Sequence, residues 1–159
     1  MYKIYVDLDE VLVDYRKVVK KFGYDLDMLQ QDQELEDVFW DMIHKRSKKK
    51  LPIWGGMSPM PDALELWNYV KKYDCEILSS MGVYGTPTQE KQEWVRRHIG
   101  DVPVNLVYGS PAKAKFATPN SILIDDKLKS IEPWIAAGGI GILHTDTLNT
   151  IKQLKAMGL

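Results

Sequence analysis

The fold of this chain can be worked out from one stretch near its start, Val6-Asp7-Leu8-Asp9-Glu10-Val11. The residues just before it, Tyr2-Lys3-Ile4-Tyr5, are β-prone and largely apolar, which predicts a short strand. The two aspartates therefore follow the carboxyl end of a strand, the edge at which open α/β sheets bind ligands. Carboxylates this close repel each other, and a bound divalent cation relieves that repulsion. A solvated acidic turn is the alternative, and the sequence further along decides between the two.

The composition is that of an ordinary globular protein. The 159 residues are 45% hydrophobic and 27% charged, which suits one domain with a sizeable core. No apolar run approaches the roughly 18 residues of a membrane span, and the start of the chain lacks the pattern of a signal segment. We therefore expect no membrane association and a cytoplasmic location. The net charge of −1 argues against broad nucleic-acid binding. The single cysteine, Cys75, excludes an internal disulfide.

Strand-like and helix-like segments alternate through most of the chain. Short apolar runs predict five strands, at 2–5, 75–79, 102–108, 121–125 and 140–144. Helical patterns separate these runs. The alternation predicts an α/β fold with a five-stranded parallel sheet covered by helices on both faces, in three α/β/α layers.

One segment, 24–56, interrupts this alternation after the first strand. It is polar and helical, and it has an apolar stripe on one helical face, formed by Leu35, Val38, Phe39, Met42 and Ile43. It is too small for a domain of its own. We therefore predict a single domain, 1–159, with a small helical cap inserted at 24–56.

Polar side chains recur where the predicted strands end. Because the carboxyl ends of parallel strands share one edge of a sheet, these groups can converge there. Carboxylates suit a Mg²⁺ ion, while a hydroxyl and an ammonium suit the oxygens of a phosphate. The residues are Asp7 and Asp9 after the first strand, Ser79 and Ser80 at the end of the second, Lys115 before the fourth, and Asp125 and Asp126 at its end.

These stretches resemble the four ordered motifs of the haloacid dehalogenase superfamily of phosphohydrolases. The motifs are Asp7-Leu8-Asp9-Glu10-Val11, Ile77-Leu78-Ser79-Ser80, Lys115 and Ile124-Asp125-Asp126. Two further stretches, Met60-Pro61-Asp62-Ala63 and Glu90-Lys91-Gln92-Glu93-Trp94-Val95, resemble the 5'(3')-deoxyribonucleotidase branch, and 136–142 looks like its compact phage and bacterial members. The resemblance implies a Rossmann-like fold and a Mg²⁺-dependent phosphatase of deoxynucleoside monophosphates.

The resemblance also assigns roles to the residues of the motifs. Asp7 would attack phosphorus and form an aspartyl-phosphate, and Asp9 would protonate the leaving oxygen and then activate water. Mg²⁺ would be held by Asp7, the main-chain carbonyl of Asp9, and Asp126. Asp125 would be a second ligand or an acid one layer further out.

Two positions depart from the pattern of the branch. Serine stands at position 79, where threonine is common. Lys113 competes with Lys115 for the role of the lysine that binds the phosphoryl group together with Ser79. We prefer Lys115, because its spacing to Asp125 fits the branch better.

Two tryptophans and one serine are further candidates for substrate binding. Trp40 lies beside the apolar stripe of the cap and Trp54 lies where the cap rejoins the core, so either ring could stack on a nucleobase. Packing between cap and core is the other interpretation for both. Ser80 is placed with Ser79 at the phosphate.

Three functions remain open on the sequence alone. The favoured one is hydrolysis of a small phosphomonoester, a nucleoside monophosphate, with no nucleic-acid partner and with a homodimer as one expectation. The same chemistry on polynucleotide 3'-ends or on sugar phosphates is the second. A non-catalytic binding module is the third, and the presence of both Asp7 and Asp9 argues against it.

Overall fold

Five parallel strands form the centre of the protein. The computed structural model describes residues 1–51, 53, 56–81 and 88–159. The strands are β1 (Lys3–Val6), β2 (Asp74–Met81), β3 (Val104–Tyr108), β4 (Ser121–Asp125) and β5 (Ile140–Leu143). They pair in parallel in the order β3-β2-β1-β4-β5, so β1 lies at the centre between β2 and β4. The predicted five-stranded parallel α/β fold is confirmed.

Helices follow the strands in the expected alternation. They are α1 (Tyr15–Lys21), α2 (Leu26–Gln31), α3 (Gln33–Lys48), α4 (Ala63–Val70), α5 (Thr88–His98), α6 (Leu128–Ala136), α7 (Thr147–Ala156) and a 3₁₀ helix at Ser110–Phe116. None of the helices in the described ranges combines the length and apolar character needed to cross a bilayer.

Alternation of side chains along β1 gives the sheet its two covered faces. Ile4 and Val6 point to a large cluster that includes Leu66 of α4 and Trp94 of α5. Tyr5, between them, points to the opposite face, where it packs edge-to-face on Trp134 of α6. Because successive strand residues face opposite sides, burial on both sides requires apolar residues at nearly every position. This explains the apolar run at 4–6 in β1.

The insertion after β1 is helical, as predicted, and consists of α2 and α3. Its buried apolar residues belong to the same hydrophobic cluster as Val18 and Val19 of α1. Phe39 and Ile43 are buried, but Val38 is 57% exposed, so the prediction that Val38 belongs to the buried stripe was wrong. Its position on the helix gives the reason. The buried face is centred near Phe39 and Ile43, and Val38 lies about a third of a turn outside it.

The chain enters and leaves this insertion through two adjacent segments. The Asp14 amide donates to the Ser58 carbonyl at 2.9 Å, and the Met60 amide donates to the Leu12 carbonyl at 2.8 Å. The stem of the insertion is therefore held directly beside the loop that carries Asp7 and Asp9.

Candidate active site

Three carboxylates meet at the carboxyl edge of the two central strands. Asp7 follows β1 and Asp125 ends β4, and the ladder between these strands continues through the Asp7 amide, which donates to the Ile124 carbonyl at 3.0 Å. One oxygen from each of Asp7, Asp125 and Asp126 lies within 4.8 Å of the others. Parallel pairing in register thus produces the convergence that was predicted for these three acids.

A buried lysine lies among these acids, and it is Lys113. Its ammonium is 2.8 Å from Asp7 Oδ1 and 2.5 Å from Asp125 Oδ2, and the side chain is 1% exposed. Burial lowers the pKa of Lys113, but the charges of Asp7 and Asp125 outweigh burial and raise it overall, so the amine stays protonated. Lys115 is exposed, and its ammonium lies 5.7 Å from the Phe116 ring centroid. The choice of Lys115 over Lys113 is therefore corrected.

The 3₁₀ helix explains which lysine points inward. In a 3₁₀ helix with three residues per turn, residues three apart lie on the same face. Lys113 shares its face with Phe116, whose ring packs edge-to-face against Tyr5 of β1, with centroids 5.7 Å apart. Seating Phe116 on the sheet therefore carries Lys113 to the strand ends and leaves Lys115 in solvent.

The two aspartates at the end of β4 have different surroundings. Both oxygens of Asp125 are occupied, Oδ2 by Lys113 and Oδ1 by the Lys127 amide at 2.9 Å. Asp126 Oδ1 is buried without a hydrogen-bond partner among the described residues. Burial, then the charges of Asp7 and Asp125, raise the pKa of Asp126 to about 8. An oxygen of this kind is suited to a cation, so Asp126 is the better placed of the two for direct metal contact.

A second group of side chains lies on the β2 side of Asp7. The Lys91 ammonium, on α5, donates to Asp9 Oδ2 at 3.0 Å, to Ser79 Oγ at 3.1 Å and to the Ser80 carbonyl at 2.9 Å. Lys91 is 2% exposed, while Asp9 is 16% exposed. The structure thus brings Asp9 and Ser79 together, as the sequence predicts, but through a lysine that was not predicted.

Lys91 could have been found from the periodicity of its helix. The apolar face of α5 contains Trp94 and Val95, and Lys91 lies three residues before the first and four before the second, so it extends that face by one turn. A lysine on an apolar face must find a buried acceptor or leave the core. Sequence reasoning treated Glu90-Lys91 only as part of a resemblance.

The remaining candidates are less central. The Ser80 side chain is half-buried and, by strand alternation, points away from the Ser79 side chain, so only its carbonyl contacts Lys91. Trp40 is half-buried and packs edge-to-face on Phe39, with centroids 5.5 Å apart. Trp54 lies outside the described residues. The carboxylate of Asp9 is not one of the three that cluster, and the predicted metal contact through its carbonyl stays a prediction.

Comparison with known proteins places the fold. No protein-family model matches the chain, and no curated protein matches it. Solved structures do match over the full length. One is a hydrolase from Pseudomonas syringae, with a TM-score of 0.61, 14% identity and 99% of both chains covered. A haloacid dehalogenase superfamily hydrolase from Ehrlichia chaffeensis has a TM-score of 0.55, 12% identity and full coverage of both chains.

A third structure extends the same result. It is a haloacid dehalogenase-like family protein from Streptococcus pneumoniae, with a TM-score of 0.57 and 15% identity over 89% of this chain and 83% of that one. This chain has the haloacid dehalogenase fold. At identities this low the likeness concerns the fold alone, and the chemistry must be argued from the site.

Proposed function

We propose that this chain is a Mg²⁺-dependent phosphomonoester hydrolase that works through an aspartyl-phosphate on Asp7 and acts on a (deoxy)nucleoside monophosphate. The observation that carries the proposal is the contact of Asp7 with buried Lys113 inside a group of three carboxylates. Since a lysine that meets two acids this far from solvent is costly to build, a purely structural role is a poor explanation. A site for phosphoryl transfer needs such a lysine, because its ammonium stabilises the negative charge of the transferring group.

The charges of the site fit a divalent cation. Within the part of the chain that the structure describes, the four carboxylates of Asp7, Asp9, Asp125 and Asp126 face two ammonium groups, those of Lys91 and Lys113. The excess of two negative charges would be balanced by one Mg²⁺. We propose Asp7, Asp126 and the Asp9 carbonyl as its ligands, with Asp125 held back by Lys113. When bound, the ion would supply charge stabilisation to the phosphoryl oxygens.

In the first step, a carboxylate oxygen of Asp7 attacks phosphorus and the bond from phosphorus to the ester oxygen breaks. The proton of the Asp9 carboxyl passes to that oxygen, which leaves as an alcohol. Lys113 stabilises the negative charge of the phosphoryl group during the transfer. The Ser79 hydroxyl donates a hydrogen bond to one phosphoryl oxygen.

In the second step, Asp9 is a carboxylate and takes a proton from water. The resulting hydroxide attacks the phosphorus of the aspartyl-phosphate, and the bond from phosphorus to the Asp7 oxygen breaks. Inorganic phosphate leaves, and Asp7 and Asp9 return to their starting states. Asp7 thus forms the covalent bond to phosphorus, and Asp9 carries out both proton transfers.

The choice of a small substrate rests on the insertion. The helices α2 and α3 pack on the core in one apolar cluster and are attached beside the Asp9 loop, where they can cover a small ester and exclude water. The deoxynucleotide is favoured by the resemblance of the motifs.

A panel of phosphomonoesters tests the proposal. Wild-type protein with Mg²⁺ is assayed on deoxynucleoside monophosphates, sugar phosphates and 3'-phosphorylated oligonucleotides, beside Asp7→Asn as the matched control. Asp7→Asn should stay folded and show no measurable turnover, because an amide is neither nucleophile nor anionic ligand. Acid-quenched wild-type protein should carry one phosphoryl group on Asp7. A folded Asp7→Asn protein with near wild-type rate would falsify the covalent mechanism.

A further inference from the structure

We propose that Lys91 is a positioning residue that holds the proton-transfer acid Asp9 and the phosphate-binding hydroxyl of Ser79 in their working orientations. This inference rests on the function proposed above and gives Lys91 a role that differs from that of Lys113. Lys113 contacts the nucleophile Asp7 and the end of β4. Lys91 contacts the acid, the hydroxyl and a strand carbonyl on the opposite side of Asp7.

The contacts of Lys91 fix which oxygen of Asp9 is used. An ammonium has three hydrogens, and Lys91 has three acceptors within 3.1 Å. One of them is Asp9 Oδ2, which can accept from Lys91 whether or not the carboxyl is protonated. Asp9 Oδ1 is buried without a hydrogen-bond partner among the described residues. The exchanged proton is therefore carried on Oδ1, and the orientation of the group is set by Lys91.

The same ammonium also orients the Ser79 hydroxyl. Lys91 donates to Ser79 Oγ at 3.1 Å, so the oxygen of this serine is occupied as an acceptor. Its hydrogen must then be donated elsewhere, which suits it to a phosphoryl oxygen. One lysine thus prepares two groups that act on the substrate, without contacting the reacting atoms itself.

The helix that carries Lys91 is held in place by its neighbouring residues. The Glu90 carboxylate accepts from the Ile53 amide, with its two oxygens at 3.2 and 3.3 Å. Trp94 Nε1 donates to the Met57 carbonyl at 2.9 Å. Both partners belong to the segment by which the insertion returns to the core. This turn of α5 is therefore fixed on the side of the insertion as well as on the side of Asp9, and precise placement of a catalytic group needs such support.

The test uses two esters that differ in their need for an acid. The leaving oxygen of dUMP requires protonation, whereas that of p-nitrophenyl phosphate leaves readily as an anion. The kcat/KM values report steps up to departure of the leaving group, so they isolate the step in which Asp9 acts as acid. Lys91→Met keeps the length and loses the charge and the donors. Gln92→Met, exposed on the same helix, is the matched control.

We expect Lys91→Met to lower kcat/KM for dUMP by about 10- to 100-fold more than for p-nitrophenyl phosphate, a part of the 10²–10⁴-fold that general acid catalysis contributes. Gln92→Met should change neither value. An equal loss on both esters would overturn the inference and leave the proposed function standing. Failure of the wild type to hydrolyse either ester would overturn both.

A double-mutant cycle separates positioning from direct contact. In an Asp9→Asn background, measured by single turnover, Lys91→Met should cost clearly less on dUMP than in the wild type, because one of the two groups that it positions is already lost and only the contribution through Ser79 remains. The same cost in both backgrounds would show that Lys91 acts independently of Asp9 and would overturn the inference. If Lys91→Met does not fold, Lys91→Gln, which keeps donors without the charge, replaces it under the same criteria.

Discussion

The two lysine groups of the site differ in charge balance. Lys113 faces Asp7 and Asp125, both buried, with the half-buried Asp126 beside them, so one cation meets three acids. Among the described contacts, Lys91 faces one acid, Asp9, and two neutral oxygens, so the charges of Lys91 and Asp9 balance. The first group is incomplete without another cation, whereas the second is complete. We infer that the Lys113 group binds the metal and the phosphoryl group, and that the Lys91 group, through Asp9, transfers the proton to the leaving oxygen.

The largest effect should come from removing the lysine of the incomplete group. Lys113→Met leaves two buried carboxylates uncompensated, which typically costs about 3–5 kcal/mol of unfolding free energy, and loss of one stabilising donor lowers turnover by about 10²–10³-fold. Lys115→Met, two residues away and exposed, should change neither quantity. Chemical denaturation and kcat with saturating Mg²⁺ check this. If Lys115→Met lost more stability and more kcat than Lys113→Met, the phosphate-binding lysine would be Lys115, as the sequence predicts.

The complete group should respond differently when its acid is removed. Asp9→Asn keeps the main-chain carbonyl and an oxygen that can accept from Lys91, but it cannot give or take the proton. We expect substrate affinity close to wild type and a single-turnover rate lower by about 10²-fold. Equilibrium binding measured beside single-turnover kinetics tests the split. Weaker substrate binding with an unchanged single-turnover rate would show that the Asp9 carboxylate serves binding, as part of the group around Lys113, and not proton transfer.

How far the sequence predicts the site can be seen from these same residues. The acids were found because they follow buried strands, and strand ends in a parallel sheet share one edge. β4 has the predicted bounds, Ser121–Asp125, and every residue in it is buried. The lysines project from helices, so their direction depends on helix type and rotation. Lys113 points inward because a 3₁₀ helix aligns it with Phe116, which residue spacing to Asp125 does not reveal.

A smaller effect concerns pH in the protein without metal. The pKa of Asp126 is raised to about 8, so the folded protein retains a proton that the unfolded chain has lost above its usual carboxyl pKa. The stability of the metal-free protein should therefore fall as pH rises from about 4 to 8 through this group. Added Mg²⁺ should restore stability, and more strongly at higher pH, because the ligand must lose its proton.

Asp126→Asn provides the control for that pH effect. His144 is buried and its pKa is lowered, so it contributes a slope of the opposite sign, with stability lost as pH falls. Subtracting the thermal melting profile of Asp126→Asn from that of the wild type removes this contribution. An unchanged slope in the variant would show that the carboxylate group is not short of a cation.

The smallest expected effect is on salt dependence, and it tests whether the positive charge outside the site serves a polymer. Beyond Lys91 and Lys113, a basic run lies at the end of α3, where Lys45 pairs with Asp41 and the Arg46 guanidinium packs 4.9 Å from the Phe22 ring centroid. Lys48, Lys49 and Lys50 are exposed. A polynucleotide end would need a basic track along a groove, and its affinity would fall steeply with salt, by about 0.7 log units per log unit of salt for each phosphate contacted.

A mononucleotide makes no such demand, because in the proposed site its single phosphate would be held by buried groups that salt screens little. We therefore expect dUMP or dTMP to be preferred over a 3'-phosphorylated oligonucleotide at equal concentration. Replacing Lys48, Lys49 and Lys50 by glutamine should change kcat/KM for the mononucleotide by less than about twofold between low and moderate salt, since exposed charges contribute little. Preference for the oligonucleotide, lost with salt or in the triple variant, would make the end of α3 a nucleic-acid contact and the insertion a guide for a polymer.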